Sequence, residues 1–370
     1  MDRPWAVRLA AGAFAVVTTL GCTPDDPAPD PATPEADTPT PEPATPEPEL
    51  EETEPAARAP LTGRPVDDAE TLERPLVAVK IDDADDALPQ QGLEVSDIVY
   101  TELVEGGTTR LLALFHSEDP GEVGPVRSAR ESDAELLPAF DGLFAISGAA
   151  PQVIEQLRQA DVSPLEEGRP AQAWRREPDR RAPHNLFVRA DRLWEFIAAL
   201  DEDDALDPAD PRFAAARPWP IAENGEPMPR GEPAAGVRLA YSQAAHVGWR
   251  WNADAEVWQR SRDGQAHVDA EGAPLDADNV LVARVATSVG PRTDAAGAAT
   301  VEIELLGSGR ALVLRGGEAV EGRWERDTPT EPFRFVTEDG RPIELAVGRS
   351  WVELVPVSGS VEVESPAPPG

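Results

Sequence analysis

Apolar residues fall in short runs over residues 75–146 and again over 236–356, and the spacing within the runs differs. Residues 111–115 are an unbroken apolar run and 75–81 one broken only by Lys80, the pattern of buried strands, while 97–104 alternates. Gly106-Gly107 separates the last two and reads as a turn. Residues 143–146 form another short strand. Three stretches change to a helical period. Residues 128–140 place Leu136, Leu137 and Phe140 on one side; a helix from about Pro151 opens on a proline suited to a first turn; residues 190–200 repeat Leu193, Trp194, Ile197 and Leu200. These elements predict a mixed α/β region over 61–200. From 236 to 356 nearly every run is strand-like, with Gly, Asp and Pro at regular intervals, which predicts an antiparallel sandwich or barrel. The expected fold class is α+β: a mixed α/β N-terminal domain, then a mostly antiparallel β C-terminal domain. Between them, residues 201–235 are acidic and then proline-rich, a linker or long loop; 357–370 form a tail.

The first sixty residues follow another logic. Arg3 and Arg8 precede an apolar run over 9–20, which is long enough for a secretion signal and short for a membrane span. The run ends at Thr19-Leu20-Gly21-Cys22, which resembles a bacterial lipobox without its usual leading Leu. The expectation is a signal peptide over 1–21, with lipid on the thiol of Cys22 anchoring the protein to a membrane outside the cytoplasm. An ordinary secretory signal with a chance cysteine is the alternative. Residues 23–60 contain twelve prolines and eleven acidic residues against one Arg. Such a stretch has no apolar surface to bury, so 22–60 is expected to be a disordered tether reaching roughly 120 Å at ~3.1 Å per residue.

Composition narrows the classes. The net charge is −36, and Cys22 is the single cysteine. A chain this acidic is no coat for nucleic acid. One cysteine excludes a disulfide framework, and the four histidines, His116, His184, His246 and His267, are scattered, so neither metal nor cofactor is expected.

Several runs together resemble the YerB-like family of bacterial lipoproteins. In the first region they are Pro60-Leu61-Thr62-Gly63, Pro89-Gln90-Gln91-Gly92-Leu93, Asp97-Ile98-Val99-Tyr100, Glu105-Gly106-Gly107-Thr108-Thr109-Arg110, Gly124-Pro125-Val126-Arg127-Ser128-Ala129-Arg130 and Ala182-Pro183-His184-Asn185-Leu186. In the second they are Asp278-Asn279-Val280, Gly307-Ser308-Gly309-Arg310, Gly322-Arg323-Trp324, Asp339-Gly340-Arg341-Pro342-Ile343 and Gly348-Arg349-Ser350-Trp351-Val352-Glu353. The family tends to Asn where this chain has Asp82-Asp83. The resemblance implies two domains on a surface anchor and supplies no activity.

The candidate chemistry lies in the first region. Arg110, Arg127, Arg130, Arg181 and His184 all sit at ends of predicted elements or in turns, and guanidinium forks hold carboxylate or phosphate in bidentate geometry. Arg127 and Arg130 share a face if a helix starts near residue 126. Glu102 and Glu105 are the internal anions that could close the same cluster. The expected function is a binding or scaffold module of the envelope, holding an anionic group of a cell-wall polymer or a protein partner. The alternative is a hydrolase or transferase on envelope glycans, using Glu102, Glu105 and His184. Asp82-Asp83-Ala84-Asp85-Asp86 does not meet the EF-hand pattern, because Ala87 and Leu93 occupy the Gly and Glu places. Trp249, Trp251, Trp258, Trp324 and Trp351 read as core of the β region rather than sugar platforms.

Overall fold

The computed structural model describes residues 57–200, 218–221, 229–293 and 297–366. The expected signal peptide, Cys22 and nearly all of the tether lie outside the described residues, as do 201–217, 222–228 and 367–370.

The first region contains β1 (Val77–Asp82), β2 (Ile98–Leu103), β3 (Thr109–Phe115), β4 (Glu122–Val123), β5 (Leu143–Ile146), β6 (Ser163–Glu166), β7 (Trp174–Arg176) and β8 (Leu186–Arg189). Its helices are α1 (Asp133–Leu136), α2 (Pro151–Gln159) and α3 (Ala190–Ala198). The second region is all strand beyond residue 229: β9 (Glu232–Pro233), β10 (Gly236–Ala240), β11 (His246–Asn252), β12 (Val257–Arg262), β13 (Gln265–Ala266), β14 (Asp276–Ala277), β15 (Asn279–Val285), β16 (Thr287–Thr293), β17 (Ala299–Ile303), β18 (Gly307–Arg315), β19 (Glu318–Arg326), β20 (Arg334–Val336), β21 (Ser350–Pro356) and β22 (Ser360–Glu364). The class is α+β.

A single large sheet runs through both regions in the order β20-β19-β18-β15-β21-β2-β3-β1-β5-β6. The junction is the parallel pair β2–β21, from Ile98 opposite Ser350 to Glu102 opposite Leu354. On the N-terminal side β3 lies antiparallel between β1 and β2, and β1, β5 and β6 run parallel. On the other side β15, β18, β19 and β20 are antiparallel, with β21 parallel to β15. A second, antiparallel sheet has the order β13-β12-β11-β10-β22, with β14 on β12.

The mostly apolar runs are the strands covered on both faces. Val77, Val79 and Ile81 of β1 and Leu111, Ala113 and Phe115 of β3 share a core with Val237, Leu239, Val247 and Trp249 of the second sheet. Ala78, Leu112, Leu114 and Tyr100 take the other face, with Phe140 and with Val153 and Leu157 of α2. A period of two with two apolar partners leaves no polar alternation to see.

The helix expected over 128–140 is shorter than its period suggested. It reduces to α1 and a 3-10 turn at Leu137–Ala139. Upstream, the Arg127 N–H donates to Lys80 O, the Ala129 N–H to Gly148 O, and the Ser147 N–H to Arg127 O. These bonds add residues 127–129 to the strand ends, where their backbone groups find partners a helix could not supply. Arg127 and Arg130 therefore share no helical face. Within the expected linker, residues 218–221 are pinned. Trp219 is buried, lies 5.6 Å from Phe140 between ring centroids, and donates its backbone N–H to Pro60 O.

Candidate functional site

β-Sheet register builds the candidate site. Asp82, Arg110 and Glu102 occupy one rung across β1, β3 and β2, so their side chains leave from the same face. Lys80, two residues before Asp82, shares that face. Glu105 opens the 3-10 turn that follows β2, where Gly106 and Gly107 take φ of +74° and +75°. A side chain there would be strained, and the turn directs Glu105 back toward the rung.

Two of the carboxylates are closed. Glu102 contacts fully buried Lys80 and accepts the Ser132 hydroxyl. Lys80 also donates to Asp133 Oδ1 at 2.8 Å. Burial pulls Lys80 down to about 8, although Asp133 opposes the shift. Glu105 Oε2 accepts Arg130 Nε at 2.7 Å, and the Arg130 backbone N–H donates to Asp133 Oδ2 at 2.7 Å. Arg110 is nearly buried and donates to Ser128 O at 2.6 Å. Burial, then the charges of Arg130 and Arg127, lower it to about 9, with Glu105 and Asp82 opposing.

The third carboxylate is arranged differently. Asp82 Oδ2 lies 2.6 Å from His184 Nδ1 and 3.3 Å from Arg127 Nε. Asp82 is buried, but the side chains of Arg127 and His184 are 22% and 16% exposed. The Arg127 fork and His184 Nε2 make no hydrogen bond to the described residues. Arg181 is exposed, and its side chain forms no ion pair among the described residues. Its carbonyl accepts the His184 N–H at 3.0 Å. The rung thus gathers Arg110, Arg127, Arg130, His184, Glu102 and Glu105, and leaves Arg181 at the rim.

Asp82, Lys80 and Asp133 were missed as members. Asp82 was weighed only as part of a calcium loop, yet its parity with Lys80 and Ala78 along β1 already puts both charges on one face. Ser128 and Ser147 lie 3.3 Å apart, and neither bonds to His184. Among the described residues no cluster of three or more His, Cys, Asp or Glu is placed to hold a metal. A cleft of about 720 Å³ opens next to α1, but Glu131, Glu135, Glu302 and Glu304 face it against a single Arg292, which pairs with Glu131. An anion would be repelled there.

Behind the rung the sheets are joined by a buried polar network. Asp83 accepts Thr109 Oγ1 at 2.6 Å and Gln90 Nε2 at 3.3 Å, and Arg262 Nε lies 3.1 Å away. Arg260 bonds His267 Nδ1 at 2.7 Å and approaches Glu353 at 3.5 Å. Trp249, Trp258, Trp324 and Trp351 are buried, and Trp251 packs against Trp258.

The comparisons agree with this architecture. Residues 61–203 match "Protein of unknown function (DUF3048) N-terminal domain", and residues 237–352 match the corresponding C-terminal domain. The Bacillus subtilis (strain 168) protein named "Putative lipoprotein YerB" is 29% identical over 306 residues, which cover 81% of this chain and 86% of that protein. A crystal structure of YerB from Bacillus subtilis superposes with a TM-score of 0.69 at 26% identity, covering 83% of this chain and 99% of that one. With both domains matched in order and the fold shared, the chain belongs to the DUF3048 family.

Proposed function

We propose that this chain is an envelope lipoprotein whose first region binds an oxyanion carried by a cell-wall polymer or an envelope protein. The observation that carries this reading is Asp82. One buried carboxylate oxygen hydrogen-bonds His184 and forms a 3.3 Å ion pair with Arg127 Nε outside hydrogen-bond geometry, which restrains the arginine while its fork still reaches solvent. A held guanidinium loses less freedom when it captures an anion. The glycan hydrolase or transferase reading needs Glu102 and Glu105 free, and each is engaged by a cation. The lipidated thiol at Cys22 is supported by the sequence pattern and by the name of the relative.

Two measurements test the reading. Cys22→Ser should move the protein from the membrane to the soluble fraction with an unchanged melting curve; full retention on membranes rules out the anchor. Inorganic phosphate should raise the melting temperature of the wild type and leave Arg127→Ala unmoved. An equal rise in both, or none in either, rejects the site.

A further inference from the structure

The tautomer of His184 carries a consequence for what this oxyanion can be. Asp82 Oδ2 faces Arg127 Nε at 3.3 Å, and a carboxylate only accepts hydrogen bonds. The proton between the two groups therefore belongs to His184 Nδ1, which lies 2.6 Å from Oδ2. In the neutral imidazole the other nitrogen, Nε2, is then a lone pair. Arg127 stands beside it on the same carboxylate oxygen and offers only donors. The site thus presents a cationic fork next to a hydrogen-bond acceptor. An anion whose oxygens all carry lone pairs satisfies the fork and faces Nε2 with repulsion. An anion that also carries an O–H satisfies both.

We propose that the site selects oxyanions that bring their own hydroxyl donor, with Arg127 taking the anionic oxygens and His184 Nε2 accepting the O–H. The inference rests on the anion-binding reading above and narrows its ligand class. The donor can be the P–OH of hydrogen phosphate or the alcohol of a polyol phosphate; both share the chemistry of a phosphoryl anion beside a hydroxyl. The proton stays shared between the hydroxyl oxygen and Nε2, and no covalent bond forms or breaks. Asp82 is the positioning residue, since it sets which nitrogen is bare. The His184 ring is only 16% exposed, and sites that pair a substrate hydroxyl discriminate against analogues lacking one.

The test uses the folded protein with four probes at pH 8, read by calorimetry and by the ¹⁵N resonances of His184. Inorganic phosphate and glycerol phosphate carry an O–H; sulfate and dimethyl phosphate do not. The first pair should bind more tightly than the second by about tenfold or more. Comparing phosphate with glycerol phosphate tells which source of hydroxyl fits better. The free protein should show an unprotonated Nε2 resonance that moves with phosphate and stays with sulfate. His184→Gln, whose amide can turn either a donor or an acceptor outward, should bring phosphate and sulfate to within about threefold of each other. Equal affinity for phosphate and sulfate in the wild type, or a protonated Nε2 in the free protein, overturns the selection while leaving anion binding intact. Binding of none of the four overturns both.

Discussion

Asp82 and Asp83 are neighbours in sequence and end up in opposite kinds of environment. Asp83 points toward the second sheet, where Thr109, Gln90 and Arg262 use its oxygens. The network there continues through Arg260, His267, Glu353, Tyr241 and Trp249, all buried. Asp82 points to the other face and holds two groups whose outer nitrogens stay open to solvent. The difference separates charge that joins two sheets from charge that stays open to solvent. Both sets are costly to bury, and only one leaves polar atoms over.

The sharpest way to break the comparison is Glu353→Ala. Glu353 accepts Tyr241 Oη at 2.6 Å and Trp249 Nε1 at 2.7 Å, and it faces Arg260 with neither side chain exposed. Removing it takes the counter-charge from buried Arg260, which keeps only its bonds to His267 and Thr101, leaves Trp249 Nε1 without its acceptor, and leaves Tyr241 Oη only a 3.4 Å contact to Thr101 O. The expected loss is about 3–5 kcal/mol in urea denaturation. A loss below about 1 kcal/mol would mean that the network is hydrated and the contrast with Asp82 is false.

Acid acts next. Burial, followed by the charge of Arg74, pulls His116 down to about 4, and burial with Arg260 and Arg262 holds His267 well below its usual range. An unfolded imidazole takes its proton near pH 6.5, whereas these two remain neutral in the fold. The unfolded state therefore binds more protons below pH 6.5, and stability falls as pH drops from there toward 4. Between pH 7 and pH 5 the His116 contribution is on the order of 2 kcal/mol. Urea midpoints that stay level over this interval would show both rings open to water.

Much of this contrast was legible in the sequence, and the failures have physical causes. The strands at 77–82, 109–115 and 279–285 follow from short, mostly apolar runs, and α2 and α3 from their period and from Pro151. The helix over 128–140 failed because Arg127 and Ala129 give their N–H groups to Lys80 and Gly148, partners distant in sequence. The parallel junction of β2 with β21 joins residues about 250 apart, which no local pattern encodes. Arg110, Arg127, Arg130 and His184 could be named from residue type and position alone. Which carboxylate each would meet depended on register: Arg110 lies between Asp82 and Glu102 only because β3 lies between β1 and β2.

A smaller effect is expected from Asp82→Asn. Asp82 is as buried as Asp83, but Arg127 and His184 each reach water, which can replace part of what they lose. The expected cost is about 1 kcal/mol, well below that of Glu353→Ala. Side-by-side denaturation of the two variants measures the gap directly, and equal losses would place Asp82 in the structural class.

Arg181→Ala should do least, and that makes it a boundary marker. Arg181 joins the other arginines in the sequence because it too falls at the end of a predicted element or in a turn. Its backbone does serve the site, since its carbonyl accepts the His184 N–H at 3.0 Å, and alanine keeps that carbonyl. Its side chain is exposed and unpaired among the described residues, so folding should change by less than about 0.5 kcal/mol. Its charge acts on an anion at Arg127 only through solvent, where screening over about 8 Å at physiological salt weakens it. The phosphate-induced rise in melting temperature should therefore survive in Arg181→Ala and vanish in Arg127→Ala, both in 0.15 M salt. If instead Arg181→Ala abolishes the rise, the ligand sits on the exposed loop around residue 181 and the rung beneath it is only support. The division drawn through Asp82 and Asp83 would then separate two structural networks rather than a structural one from a binding one.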